Sequence, residues 1–88
     1  MLVWKMARHL VVETERTRIV EESEFYLRAE ARSKLVGFVD DLELALDPDA
    51  RLLGVRSASR VGWSDRGVNR RRVERLRRQL VERKLIEP

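Results

Sequence analysis

The chain has 88 residues, of which 43% are hydrophobic and 39% charged, with no cysteine and one histidine. This is one domain with one modest core, too apolar for disorder and too charged for a membrane span; disulfides, Cys-based zinc sites, thiol catalysis and multi-His metal centres are excluded. The net charge of +4 is divided unevenly, with seven Lys/Arg against eleven Asp/Glu in residues 1–50 and twelve against four in residues 51–88. The first predicted element is a short amphipathic helix over residues 2–13, with Val3, Met6, Ala7, Leu10 and Val11 at helical spacing. Trp4 is expected at the edge of that packing. The start does not read as a signal peptide, because Lys5, Arg8 and His9 interrupt the apolar run. The chain as given therefore reads as cytoplasmic.

From Thr17 the period changes. Residues 18–22 suggest a short strand, and Glu22-Ser23-Glu24 a turn. Phe25, Leu27, Ala29, Ala31 and Ser33 then alternate with Tyr26, Arg28, Glu30 and Arg32, which predicts a strand with one buried face. A β-hairpin follows, residues 39–47 and 52–61, turning through Asp47-Pro48-Asp49-Ala50-Arg51, where Asp47 can accept from the backbone ahead of it. Pairing Leu46 with Leu53 sets the register. Leu44 then lies opposite Val55, Leu42 opposite Ser57 and Asp40 opposite Ser59, with Glu43 opposite Arg56 on the outer face. The last element is a helix from about Gly67 to Leu85, with Ser64, Asp65 or Asn69 as candidate caps. Val73, Leu76, Leu80 and Val81 form its apolar stripe, Asn69 lies on the same stripe, and Arg71, Arg75 and Arg78 face outward.

The fold class is α+β: an antiparallel sheet of three or four strands, a short N-terminal helix, and a long C-terminal helix packed on one face. By this register Ser57, Ser59 and Asp40 share the side of the leucines, and Asn69 faces them from the helix. Inward polar groups need partners, since each unsatisfied one costs about 1–3 kcal/mol. They bond to one another, to water or to a ligand. Arg60, Asp65 and Arg66 are near enough in sequence to join them. A pocket for a small anion at the strand–helix junction is one reading, and a structural network locking strand, loop and helix is the other. Asp40 and Asp41 are adjacent in a strand and so face opposite ways; Asp41 is expected in a salt bridge near Arg56 and Arg60. The arginine-rich helix gives a nucleic-acid alternative through Arg71, Arg75 and Arg78, although Glu74 and Glu82 can pair with its arginines. An enzyme using Asp40 or Asp65 as an acid/base is a third hypothesis. No cofactor is called for, and a homodimer is compatible with so small a core.

Phe38, Asp40, Asp41, Arg56, Ser57, Ser59, Arg60, Gly62, Ser64, Asp65, Gly67, Asn69 and Arg72 form a pattern, F-x-D-D followed by R-S-x-S-R-x-G-x-S-D-x-G-x-N-x-x-R. In this the chain resembles the domain-of-unknown-function family numbered fourteen ninety-nine, of bacteria and plant plastids, over roughly residues 3–83. The resemblance implies membership without a reaction, cofactor or partner. It also implies a single domain, 1–88, matching the C-terminal portion of a pattern that usually has a further Cys-containing N-terminal segment, and some relatives are exported or membrane-linked. The inward polar groups are all hallmark positions, whereas Arg71, Arg75 and Arg78 are not. That favours a non-enzymatic binding module at Asp40, Asp41, Arg56, Ser57, Ser59, Arg60, Ser64, Asp65 and Asn69, taking a small anion or a protein partner.

Overall fold

In chain order the elements are α1 (Leu2–Val12), β1 (Thr17–Ser23), β2 (Tyr26–Arg32), β3 (Val39–Asp47), β4 (Leu52–Ser59) and α2 (Val68–Glu82). A computed structural model describes residues 2–33, 38–60 and 67–88. The strands form one antiparallel sheet in the order β1-β2-β3-β4, so each pairs with its neighbour in the chain. Period-two alternation sends Leu27, Ala29 and Ala31 of β2 and Leu42, Leu44 and Leu46 of β3 to one face, where they are buried. Both helices cover that face, α1 against β1 and α2 against β4, in two layers around one core.

The hairpin register is the one the alternation predicts: Leu46 pairs with Leu53, Leu44 with Val55, Leu42 with Ser57, Asp40 with Ser59 and Glu43 with Arg56. At its turn the Asp47 carboxylate accepts from the Asp49 and Ala50 amides at 3.1 Å each. Arg51 then takes a left-handed φ of 57° to bring the chain back. Trp4 is not an edge residue. It joins Ala7, Leu10 and Val11 in the core, because its place one turn before them puts it on the same stripe. Ala7 and Ala29, both fully buried, let helix and sheet approach closely. None of the described helices is long and apolar enough to cross a membrane.

The two ends of the sheet differ in chemistry. Where β1 begins and β4 ends, the residues between sheet and helices are largely polar. Near the β3–β4 turn, Val3, Leu46, Leu53, Leu80 and Ile86 lie around one apolar groove.

Candidate functional site

Asp40, Ser57 and Asn69 come to the polar end from three elements, and all three face inward. Asp40 is 9% and Asn69 5% exposed. Ser57 Oγ donates to Asn69 Oδ1 at 2.6 Å. The group that ties them together is Arg72. Its Nη1 lies 2.6 Å from Asn69 Oδ1, 3.0 Å from Ser57 Oγ and 3.1 Å from Asp40 Oδ2. One guanidinium thus neutralises the inward carboxylate and joins α2 to β3 and β4. Sequence reasoning counted Arg72 among the hallmark residues and left it out of the site. The available signal was its spacing: Arg72 follows Asn69 by three, which puts the two on one helix face, and an inward Asp needs a cation.

Among the described residues no buried side-chain nitrogen or oxygen lacks a hydrogen-bond partner. Asp40, Ser57, Asn69 and Arg72 therefore bond to one another. Ser59 stands opposite Asp40 as the register predicts. Ser64 and Asp65, with Gly62 and Arg66, lie outside the described residues. Asn69 does not cap α2. The N-cap is Gly67, at a left-handed φ of 78° and with no side-chain cap bond, and Asn69, two residues into the helix, turns its amide to Ser57 instead. Gly67 also leaves room for a cation, since a Cβ there would stand 3.1 Å from Arg71 Nη1.

The other three expected site residues, Asp41, Arg56 and Arg60, lie on the opposite, uncovered face, because they differ by an odd number of strand positions from Asp40 and Ser57. Arg60 clamps Asp41 with Nε at 2.9 Å and Nη2 at 2.8 Å, and the same Nη2 reaches Glu30 at 2.6 Å. Arg28 approaches Asp41 at 3.1 Å. Arg56 pairs with Glu43 at 3.2 Å, and Tyr26 donates to Glu43 at 2.9 Å. Asp41 is thus in a salt bridge with Arg60, as expected, but its second cation is Arg28 rather than Arg56.

Hydrogen bonding from Arg60, above all, holds the Asp41 and Glu30 carboxyls below their ordinary values, and the Arg60 guanidinium is itself raised by both. For a depressed carboxyl, the unfolded chain takes up its proton at a higher pH than the folded chain does. The stability is therefore complete above the ordinary carboxylate pKa of about 4 and is lost as pH falls through the lowered folded values. Arg60→Gln is expected to flatten the acid limb of thermal stability between about pH 5 and pH 3. Melting curves of the two proteins across that range check this, and parallel limbs contradict it.

Next to the inward network is a groove of about 460 Å³ between α2 and the α1–β1 connection. Among the described residues five arginines, Arg16, Arg32, Arg71, Arg72 and Arg75, line it together with Glu13 and Glu15, and the Arg72 guanidinium is already paired with Asp40. Arg16 is held there by the backbone, with a left-handed φ of 55° and its carbonyl accepting from the Arg32 amide at 2.9 Å. Its side chain meets Glu15 at 3.2 Å, and Arg32 meets Glu30 only at 3.8 Å. Arg71 and Arg75, expected to point outward, are exposed and form the α2 wall of this groove. Arg78 is exposed and lies outside it. Among the described residues no group of three or more His, Cys, Asp or Glu is placed to hold a metal ion.

Set beside known families, residues 2–80 match one family model, described as protein of unknown function (DUF1499). No curated protein and no solved structure matches the chain.

Proposed function

The chain belongs to that family of proteins of unknown function, and we propose that it acts as a binding module for a small oxyanion, held in the arginine-lined groove. The observation that carries this reading is the excess, among the described residues around one concavity, of Arg16, Arg32, Arg71, Arg72 and Arg75 over Glu13, Glu15 and the Asp40 that pairs with Arg72. A concave, low-dielectric wall concentrates the field of such a set. Guanidinium forks match the oxygens of phosphate or carboxylate two at a time. The inward network has the supporting role. By holding Arg72 on Asp40, Ser57 and Asn69, it fixes the first turns of α2 and so the placing of Arg71 and Arg75. In this reading Asp40 positions Arg72 and does not touch the ligand.

The test is thermal melting in the presence of inorganic phosphate, with chloride at matched ionic strength as control. Binding to the folded state raises stability by about 1.4 kcal/mol when phosphate is tenfold above its Kd, because only the native groove holds the ligand. Wild type is expected to melt several degrees higher in phosphate than in chloride, and Arg71→Gln/Arg75→Gln to lose that difference. Equal responses in both proteins exclude the groove. Arg78 separates this reading from the nucleic-acid one. Arg78→Gln is expected to leave the phosphate response unchanged, whereas binding to duplex along the helix surface weakens with it and falls steeply with salt.

A further inference from the structure

The geometry points to a second site, independent of the anion groove: the free edge of β4 receives an extended peptide segment of another protein, with alternating apolar residues and an acidic flank. The sheet has two edges, and they are built differently. On β1 the register slips between Ile19 and Glu21, a bulge, and Arg18, Glu21 and Glu22 stand along the strand. Bulges and charges are the usual protections of an edge. β4 has neither a bulge nor a proline over its eight residues, and Leu52 at its start is 64% exposed.

The hydrogen-bond parity of β4 follows from one bond. The Arg60 amide donates to the Val39 carbonyl at 3.2 Å, so residues 60, 58, 56, 54 and 52 direct their backbone groups at β3. Leu53, Val55 and Ser57 therefore direct theirs the other way, where no strand of the described residues follows in the sheet. The side chains of Leu53 and Val55 point to the helix-covered face. There the apolar groove of about 690 Å³ runs between β4 and α2, lined by Leu53, Val55, Val73 and Leu76. A strand added to β4 places every second side chain over that groove, so backbone pairing supplies affinity and the groove selects apolar residues.

Charge decides the occupant. Among the described residues Arg51 and Arg77 line the groove against one carboxylate, that of Glu87, so cations are in excess there. Helix α2 and the two residues after it carry Arg70, Arg71, Arg72, Arg75, Arg77, Arg78, Arg83 and Lys84 against Glu74 and Glu82. Pairing β4 with β4 of a second copy brings two such helices toward each other, and like charges oppose it. An acidic residue flanking an apolar stretch meets Arg51 and Arg77 instead.

Heptapeptides displayed on phage and selected against the full chain test this. The expected enrichment is for alternate apolar residues with a flanking Asp or Glu. With the enriched peptide synthesised, the Leu53 and Val55 amides are expected to gain protection from hydrogen exchange. Val55→Pro removes an outward amide without touching the β3–β4 ladder, and is expected to abolish binding. Arg51→Glu/Arg77→Glu, which leaves the backbone intact, is expected to weaken it at least tenfold, and serves should the proline variant not fold. Failure to enrich any sequence overturns the site, as does binding indifferent to these variants. Concentration-dependent protection of the same amides without peptide assigns the edge to a second copy and overturns the peptide. Phosphate in the anion groove is expected to leave peptide affinity unchanged, so the two sites fail separately.

Discussion

Replacing Arg72 with methionine is expected to destabilise the domain by about 2–4 kcal/mol, somewhat below the 3–5 typical of breaking a fully buried ion pair, because the Arg72 side chain keeps 20% of its exposure. The loss has two parts. Asp40, 9% exposed, is left as an uncompensated inward charge, and Asn69 Oδ1 loses its contact at 2.6 Å. Methionine keeps most of the aliphatic stem, so the effect isolates the guanidinium. For a domain of this size each kcal/mol shifts Tm by about 4–8 °C, so a drop of about 8 °C or more is expected in calorimetry. Asp40→Asn in the Arg72→Met background is expected to recover part of it, since the stranded charge is then gone. A double-mutant cycle giving no coupling between Asp40 and Arg72 contradicts the network as described.

The second large effect is expected at Leu80. This residue is 1% exposed and belongs to the core shared by α1, α2 and the sheet. Leu80→Ala removes that contact and leaves a void that the fully buried Leu27 and Leu44 are not free to fill, for an expected loss of about 2–5 kcal/mol. A stability of about 4–13 kcal/mol is typical of 88 residues, so the variant is expected to lie near the limit of folding at 37 °C. Denaturant titration gives the midpoint. A change confined to the slope indicates instead that the unfolded ensemble was altered.

Where a side chain's direction follows from backbone period, the sequence was readable. Alternation of leucines against Asp41 and Glu43 gave the β3–β4 register residue by residue, and Asp47 before Pro48 gave the turn. The helical stripe from Val73 back to Asn69 gave the inward amide. The remainder depends on distances that no periodicity contains. Nothing in α2 distinguishes Arg72 from Arg71 or Arg75 except what lies across from it, and Asp40 lies 32 residues earlier. The clamp of Arg60 on Glu30 spans 30 residues and needs the β2–β3 register, which the alternation leaves open. Proximity in sequence misled for Arg60 as a partner of the inward group, since a strand sends close neighbours to opposite faces and Arg60 binds Asp41 and Glu30 instead. The arginine groove gathers Arg16 and Arg32 with α2, three segments whose meeting is decided by packing.

The simple neighbour-to-neighbour order of the strands carries a kinetic consequence. All three sheet pairings join adjacent segments, so the meander assembles through short loop closures, and a topology of this kind folds early and fast. The Asp40–Arg72 contact joins residues 32 apart and is expected to form after those local pairings, as α2 settles on the sheet. Loss of Arg72 is then expected to leave the refolding limb of the chevron almost unmoved and to raise the unfolding rate. On this expectation the polar lock sets how long the molecule stays folded, and hardly at all how quickly it gets there.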